Sequence, residues 1–176
     1  MIVRDIGIND IPVVAKLAIK TYKNAFGETM SEKELQKSLK SRDESYFRSV
    51  IDKDIIIIAQ DDDQIIGFIQ FGTVSYDSFP TSNKDMELKK IYIDKNYQGK
   101  GIGKKLMNAM LTHNRLNDIE NIYLDVFAKN EEALGLYKKF GFQVIGKTPF
   151  KVDGKIIGHD LLMKRVLTQK TSSLPK

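Results

Sequence analysis

The chain has 176 residues, a formal net charge of +5 and no cysteine. This length fits one domain with a core of its own, and the lack of cysteine excludes disulfides, thiolate metal sites and cysteine nucleophiles. No apolar run approaches the ~20 residues of a membrane-spanning helix. The two histidines, His113 and His159, lack metal-type spacing, so no metal site is predicted. A cytoplasmic protein without a membrane partner is the simplest prediction.

The first half of the chain predicts helices followed by a hairpin. In chain order the elements are a strand at 2–4, a helix at 11–25, two short helices between 31 and 52, strands at 55–59 and 65–71, and a loop at 75–85. Asp10 is placed to cap the first helix. Ser31 and Ser41 are each followed three residues later by glutamate, the spacing of a capping box.

The second half predicts a strand–helix–strand crossover and a closing hairpin. The elements are a strand at 87–93, a helix at 102–110, a strand at 121–128, a helix after Asn130 that stops at Gly141, and strands at 142–152 and 156–166. Asp153–Gly154 is a strong turn signal between the last two strands. We therefore predict one α+β domain at 1–167, on a mixed sheet, and a flexible tail at 168–176.

The stretch YQGKGIGKKL, residues 97–106, places glycines at 99, 101 and 103 between a strand and a helix. Glycine leaves backbone N–H groups free to turn toward a ligand, and a helix N-terminus adds further N–H groups and positive potential. The stretch therefore predicts a phosphate or pyrophosphate cradle. A glycine-rich turn with only a structural role is the alternative.

Two common phosphate motifs do not fit this stretch. A nucleoside-triphosphate loop needs serine or threonine after Gly103-Lys104, where the chain has Lys105. The dinucleotide fingerprint needs its third glycine at the position of Lys104.

The pattern Gln98-x-x-Gly101-x-Gly103 resembles the acetyl-CoA signature of the GNAT superfamily of N-acetyltransferases. The segment ELKKIYIDKNYQGKGIGKKLM, from residue 87, is similar to the family's fourth strand, pyrophosphate loop and third helix. The segment NIYLDVFAKNEEALGLYKKFGF, from residue 121, is similar to its fifth strand and fourth helix. The resemblance implies the GNAT fold, α+β, with a mixed, mostly antiparallel central sheet splayed between its fourth and fifth strands and about four helices.

The resemblance also implies how the cosubstrate acetyl-CoA is held. Its pantetheine arm would pair with the backbone of the fourth strand, and its pyrophosphate would take N–H groups from the glycine loop. The implied cofactor-binding residues are Ile91, Tyr92, Ile93, Gln98, Gly99, Lys100, Gly101, Ile102, Gly103, Lys104, Asn130 and Lys139. From the residues alone, the side chains of Ile91 and Ile93 are core, Asn130 is a helix cap and Lys139 is a solvated cation.

Two catalytic residues follow from the same resemblance. Tyr137 would donate a proton to the departing CoA thiolate, although periodicity alone makes it a core aromatic. Glu87, at the start of the fourth strand, would act as a base or hold a water; otherwise it is a solvated strand-end acid. His159 is a weaker candidate for the base.

The sequence indicates least about which amine accepts the acetyl group. Residues 21–39 and the closing HDLLMKRVL resemble the PaiA-type polyamine acetyltransferases, which implies spermidine or spermine. A protein N-terminus, a protein lysine or an aminoglycoside stays open as the acceptor. Two other classes are an acyl-CoA-binding module without turnover and a nucleic-acid-binding protein, which the positive charge mildly favours. We predict an enzyme without a nucleic-acid partner, and a homodimer is left open.

Overall fold

The computed structural model describes residues 1–77, 79–80, 82–152 and 154–167. Its α-helices are α1 Ile11–Phe26, α2 Glu32–Leu39, α3 Glu44–Val50, α4 Ile102–Leu111 and α5 Glu131–Lys139. Its strands are β1 Ile2–Asp5, β2 Ile55–Asp61, β3 Gln64–Thr73, β4 Asp85–Ile93, β5 Asn121–Phe127, β6 Gln143–Val152 and β7 Lys155–Val166. The two short helices α2 and α3 lie where the sequence predicts them, between residues 31 and 52.

The strands form one seven-stranded sheet in the order β1-β2-β3-β4-β5-β7-β6. Every neighbouring pair is antiparallel except β4 and β5, which run parallel through the crossover helix α4. A parallel pair needs such a crossover because its two strands start at the same edge. The mixed, mostly antiparallel sheet confirms the predicted fold class.

The pairing between β4 and β5 is short. It joins Asp85 to Asn121, Met86 to Ile122 and Glu87 to Tyr123, and then ends although both strands continue. The gap between residues 88–93 of β4 and 124–127 of β5 is called the wedge below. It confirms the predicted splay, and it leaves strand edges without a neighbour.

A β-bulge in β4 changes which side chains face each side of the sheet. Gln70 lies opposite Lys90 while Phe71 lies opposite Leu88, so Lys89 is an extra residue without a partner in β3. An extra residue shifts the alternation of a strand by one position. Ile91 therefore joins Leu88 on the face that packs against the α4 side of the core.

Helices cover both faces of the sheet. The larger core lies under α4 and α5 and includes Leu106, Met107 and Met110. The second core lies under α1 and α3, where Phe47 packs edge-on against Phe68 at 5.6 Å between ring centroids. β4 packs against both layers, through Leu88 and Tyr92, and β5 packs against the larger one through Leu124 and Val126.

Two predicted helix caps are wrong in detail. The Asp10 side chain makes no cap bond to α1 and instead accepts from the Gly7 N–H at 2.7 Å and from Arg4 at 2.7 Å. The cap of α3 is Asp43, which accepts from the Tyr46 N–H at 2.8 Å, rather than Ser41. At α1 the charged Arg4 takes the Asp10 carboxylate, and at α3 the charged Asp43 accepts the N–H bond at the helix start.

Other local predictions agree with the structure. Ser31 caps α2 by accepting from the Glu34 N–H at 3.3 Å, and Gly141 follows α5 with φ +78°. Gly154 has φ +76°, as its turn requires, whereas its partner Asp153 lies outside the described residues. The predicted tail at 168–176 also lies outside them.

Candidate active site

The glycine loop adopts backbone conformations that other residues avoid. Gly99 has φ +73° and Gly101 has φ +78°, and a Cβ added to either would meet no atom within 4 Å. The positive φ, and not a lack of space, is therefore what requires glycine at these two positions. Gly101 is also the N-cap of α4.

The loop presents a row of unpaired donors. The first backbone bond into α4 runs from the Lys105 N–H to the Gly101 carbonyl at 3.2 Å. Within the described part of the chain, none of the N–H groups from Gly99 to Lys104 donates to a protein acceptor. Such a row at a helix N-terminus is a favourable place for a phosphate.

Gly103 has a different role from the other two glycines. A Cβ there would lie 3.1 Å from Leu136 Cδ2 and 3.3 Å from Ile93 Cδ1, inside normal packing distance. Gly103 lets α4 approach both β4 and α5 closely. It thereby fixes the loop next to the end of the wedge.

The polar residues of the loop reach in several directions. Gln98 Nε2 donates to the Ile93 carbonyl at 3.5 Å, a long bond between the loop and the end of β4. The ammonium of Lys100 lies 4.9 Å from the centroid of the Tyr97 ring. Lys104 and, on α5, Lys139 are exposed, whereas the Ile102 side chain is buried in the core.

The segment of β4 predicted to bind the pantetheine arm borders the wedge. Ile91 pairs with Ile69 and Ile93 with Gly67 on the β3 side, while the opposite strand edge has no neighbouring strand. Their side chains pack against the core, as the sequence indicated. Tyr92 faces the other way.

Asn130 caps α5 through only one of its two polar side-chain atoms. Its Oδ1 accepts from the Ala133 N–H at 3.1 Å, which confirms the predicted cap. Its side-chain amide nitrogen has no hydrogen-bond partner in the described residues. A cap and a ligand contact are therefore compatible in the same side chain.

Tyr137 lies in the core, as periodicity predicted, and it interacts electrostatically with Asp125 and Tyr92, which lie on the two strands that border the wedge. The residue is 6% exposed, and its ring lies 5.9 Å from the Phe142 ring. Its hydroxyl has no hydrogen-bond partner and is not among the fully buried, unpaired atoms of the described residues, so it has some access to open space. Burial, with Asp125 and Tyr92 nearby, raises its pKa above the usual range.

Glu87 is buried rather than solvated. It is 5% exposed, and its Oε2 accepts from the Ser75 N–H at 2.7 Å, the Ser75 hydroxyl at 3.0 Å and the Tyr76 N–H at 3.2 Å. Three donors from one loop converge on a single carboxylate oxygen. Glu87 thus anchors the loop that follows β3 to the start of β4.

The face of β5 opposite α4 and α5 carries a second set of polar groups, called the acceptor face. Along β5 the apolar residues Leu124 and Val126 belong to the core, so Asp125 and Phe127 point to the other side. Asp160 of β7 pairs with Phe127 and shares that side. Neither aspartate accepts a hydrogen bond from another residue of the described chain.

The environment of these two aspartates weakens their acidity. Burial, followed by the charges of Asp160 and Glu87, raises the pKa of Asp125 to about 6. Burial also raises the pKa of Asp160. Both carboxylates therefore gain from a nearby positive charge.

Aromatic rings border the acceptor face. Phe26, at the end of α1, lies 5.9 Å from Phe127 and 5.7 Å from Phe150, and the last two rings are 5.1 Å apart. On the other side, the Tyr76 and Thr148 hydroxyls lie 3.1 Å apart. Aromatic faces attract alkylammonium groups as well as apolar chains.

The cations near the wedge are already engaged. Lys90 Nζ donates to the Tyr46 hydroxyl at 2.9 Å, and burial lowers the pKa of Lys90 to about 8. Arg42 Nε donates to the Tyr92 hydroxyl at 2.9 Å, and the guanidinium carbon lies 3.6 Å from the Tyr22 ring centroid.

The sequence singled out the glycine loop, Asn130 and Tyr137, whose functional roles stay predictions, and it did not single out Asp125 or Asp160 of the acceptor face. A signal was available at Asp125, because an acid in the middle of the alternating run NIYLDVF is unusual for a half-buried strand. His159, the weaker candidate, is exposed on the opposite side of β7 from Asp160.

The sequence model of the Acetyltransferase (GNAT) family matches residues 17–142 of this chain, which include α4, the wedge strands and α5. The chain therefore belongs to the GNAT family of acetyltransferases, and the resemblance seen in the sequence is confirmed.

The two curated relatives compared next align with half of this chain or less. The Spermine/spermidine N(1)-acetyltransferase of Bacillus subtilis is 37% identical over 87 residues, which cover 49% of this chain and 57% of that protein. The N-alpha-acetyltransferase RimI of Mycobacterium tuberculosis is 39% identical over 62 residues, which cover 35% of this chain and 37% of that protein. The chain thus spans little more than half the length of the polyamine relative.

Solved structures resemble the whole fold. The PaiA N-acetyltransferase of Thermoplasma acidophilum in complex with coenzyme A has a TM-score of 0.74 and 21% identity over 94% of this chain and 98% of that one. A ribosomal-protein-alanine N-acetyltransferase from Brucella melitensis has a TM-score of 0.70 and 20% identity over 95% of this chain and 100% of that one. These matches describe the fold, which agrees with the sheet order and the wedge.

Proposed function

We propose that this protein transfers the acetyl group of acetyl-CoA to a primary amine, with a polyamine such as spermidine or spermine as the favoured acceptor. Family membership supports the acetyl transfer. The relatives named for spermine and spermidine support the acceptor class. The observation that carries the acceptor choice is the acceptor face, where two carboxylates without a hydrogen-bond donor in the described chain lie beside three aromatic rings.

The chain offers groups that fit each part of acetyl-CoA. The free N–H groups from Gly99 to Lys104 suit the pyrophosphate, with Lys100 and Lys104 adding positive charge. The open edge of β4 at Ile91–Ile93 suits the amides of the pantetheine arm, since an unpaired strand edge accepts an added strand. The spare amide of Asn130 and the ammonium of Lys139 remain for further contacts. Bound there, acetyl-CoA supplies the thioester whose acetyl group is transferred.

Tyr137 is the proposed general acid. Its hydroxyl has no hydrogen-bond partner in the described part of the chain, and its pKa lies above the usual range, so it carries its proton at neutral pH. A protonated phenol beside the wedge can give that proton to a leaving thiolate.

A polycation suits the acceptor face on electrostatic grounds. An alkylamine has a pKa near ~10.4 and arrives as an ammonium ion at neutral pH. No lysine or arginine of the described residues forms a hydrogen bond with Asp125 or Asp160. The rings of Phe26, Phe127 and Phe150 can pack against the methylene chain. The chain's overall charge of +5 does not attract a polyamine, so local charge must do so.

The test is release of free thiol from acetyl-CoA in the presence of separate amine classes. The panel is spermidine, spermine, a lysine peptide, an N-terminal peptide and an aminoglycoside. Release with the polyamines alone supports the proposal. Release with the N-terminal peptide instead would favour the activity named for the RimI relative.

Thermal unfolding with and without acetyl-CoA separates binding from turnover. A higher melting temperature with no thiol release from any amine would contradict the enzyme proposal and favour a module that binds acyl-CoA. No change in melting temperature would contradict the cosubstrate itself.

A further inference from the structure

The reaction needs a group that removes a proton from the acceptor, and the hydrogen bonds around the wedge restrict which one is available. An ammonium nitrogen has no lone pair, so it must lose a proton before it can form a bond to the acetyl carbon. Carboxylates are the natural candidates here, because they also attract the cation.

Several carboxylates close to β4 are already committed. Asp54 accepts from Lys89 at 2.9 Å and from Gln70 at 2.7 Å. Asp85 accepts from the Ser82 hydroxyl at 2.8 Å and from Asn121 at 2.7 Å.

The same holds for the acids at the two ends of β4. Asp94, after its last residue, accepts from Lys20 at 2.8 Å and from the Asn96 N–H at 3.0 Å. Glu87 uses one oxygen to accept three hydrogen bonds from Ser75 and Tyr76, so this carboxylate is engaged in holding the loop after β3.

Among the residues that the structure describes, Asp125 and Asp160 have no such partners. Asp125 lies on β5 two residues beyond Tyr123, the last residue paired with β4, so it stands where the wedge opens. Asp160 lies one strand further away, on β7, diagonally across from Asp125.

We propose that Asp125 is the general base, that Asp160, diagonally across from it on β7, is a positioning residue that acts through Asp125, and that Glu87 anchors the loop. This assignment rests on the proposed acetyl transfer. It replaces the resemblance-based expectation for Glu87 with a residue that the wedge leaves unpaired.

The proton balance follows from these positions. The acceptor ammonium gives one proton to Asp125, and the neutral nitrogen then forms the bond to the acetyl carbon while the carbon–sulfur bond breaks. The sulfur takes a proton from Tyr137, and the phenol is restored by the second proton that leaves the nitrogen. The products are the amide, free thiol and one proton, which Asp125 releases to solvent.

The charges around Asp125 set the pH range in which it can act as a base. Its pKa of about 6 leaves it ionised at neutral pH, and kcat/KM should rise as the pH passes upward through that value. The titratable and charged groups that act on it or respond to it are Asp160 on β7, Glu87, Lys90 and Tyr92 on β4, and Tyr137 on α5. Asp160→Asn removes a like charge, so it should move this rise to lower pH.

The first test compares Asp125→Asn, Glu87→Gln and the control Asp118→Asn, an exposed acid ahead of β5, by thiol release with spermidine from pH 5 to about pH 10. Asp125→Asn should lower kcat/KM about 10²- to 10⁴-fold at pH 7. The deficit should shrink as the pH nears the amine's own value of ~10.4, because the acceptor then deprotonates in water. The control should match the wild type.

Three outcomes would overturn the proposal. The first is near-normal activity of Asp125→Asn, and the second is a deficit that is equally large at pH 7 and pH 10. The third is a pH-dependent deficit in Glu87→Gln that exceeds the one in Asp125→Asn. A retained rise in melting temperature with acetyl-CoA shows that each variant is folded.

A second test does not need turnover. The Asp125 side-chain carbon is followed by NMR during a pH titration, with and without spermidine. A titration near pH 6 that moves to lower pH with spermidine supports the proposal, because a bound ammonium stabilises the carboxylate. An unchanged titration would overturn it, whereas an inactive wild type that still shows the shift would count against the acetyl transfer alone.

Discussion

Substitution of Gly101 by valine tests whether the backbone of the loop holds the pyrophosphate. A Cβ at this position meets no atom within 4 Å, so the change should act through φ, which is +78°. A left-handed conformation costs an L-residue about 1–2 kcal/mol. A domain with a typical 5–15 kcal/mol of stability would remain folded.

The cost to ligand binding should exceed the cost to folding. Valine avoids positive φ, so the loop would rotate and turn some N–H groups between Gly99 and Lys104 away from the ligand. A hydrogen bond to a charged group contributes about 1.5–3 kcal/mol, which corresponds to a dissociation constant for acetyl-CoA about tenfold to a hundredfold weaker for each bond lost.

Calorimetric titration with acetyl-CoA, together with urea unfolding, measures both effects. The matched control is Gly135→Ala in α5, where a Cβ also meets nothing within 4 Å but φ is not positive. It should stabilise the protein by up to ~1 kcal/mol and leave the affinity unchanged. A folded Gly101→Val variant with the wild-type dissociation constant would refute the role of the loop.

Three other substitutions have clear expected results. Glu87→Gln should lower stability by about 1–3 kcal/mol and speed amide hydrogen exchange at Ser75, and unchanged exchange would contradict the anchoring role. Asp54→Asn should lower the free energy of unfolding by about 3–5 kcal/mol, because it leaves Lys89 charged and unpaired where both side chains are buried. Urea unfolding measures this, and the double variant with Lys89→Met should recover part of the loss. Tyr137→Phe should lower kcat about a hundredfold or more with little change in acetyl-CoA affinity, and equal losses in both would make the residue a packing group.

Features that depend on a few neighbouring residues were predictable from the sequence. Gly99, Gly101 and Gly141 mark positive φ, and Ser31 and Asn130 mark helix starts, because each requirement is satisfied within one turn of the chain. These local signals were enough to place the loop, α4 and α5 in order.

Features that depend on contacts between distant segments could not be predicted from the sequence. The sequence alone indicates that Glu87 is an acid at the end of a strand. Only the folded loop after β3 brings the Ser75 and Tyr76 donors to its carboxylate. Asp125 and Asp160 are thirty-odd residues apart in the sequence and become neighbours only because β7 pairs with β5. The acceptor face is a product of the sheet order.

The wedge also affects how the protein tolerates change elsewhere. Its strand edges can accept an added strand, so a ligand bound along them would extend the sheet. A ligand at a hundred times its dissociation constant adds about 2.7 kcal/mol to the stability of the folded state. That is comparable to the loss from a typical large-to-small change in the core, about 2–5 kcal/mol. Cosubstrate supply would then set how many such mutations the chain can accumulate and still fold.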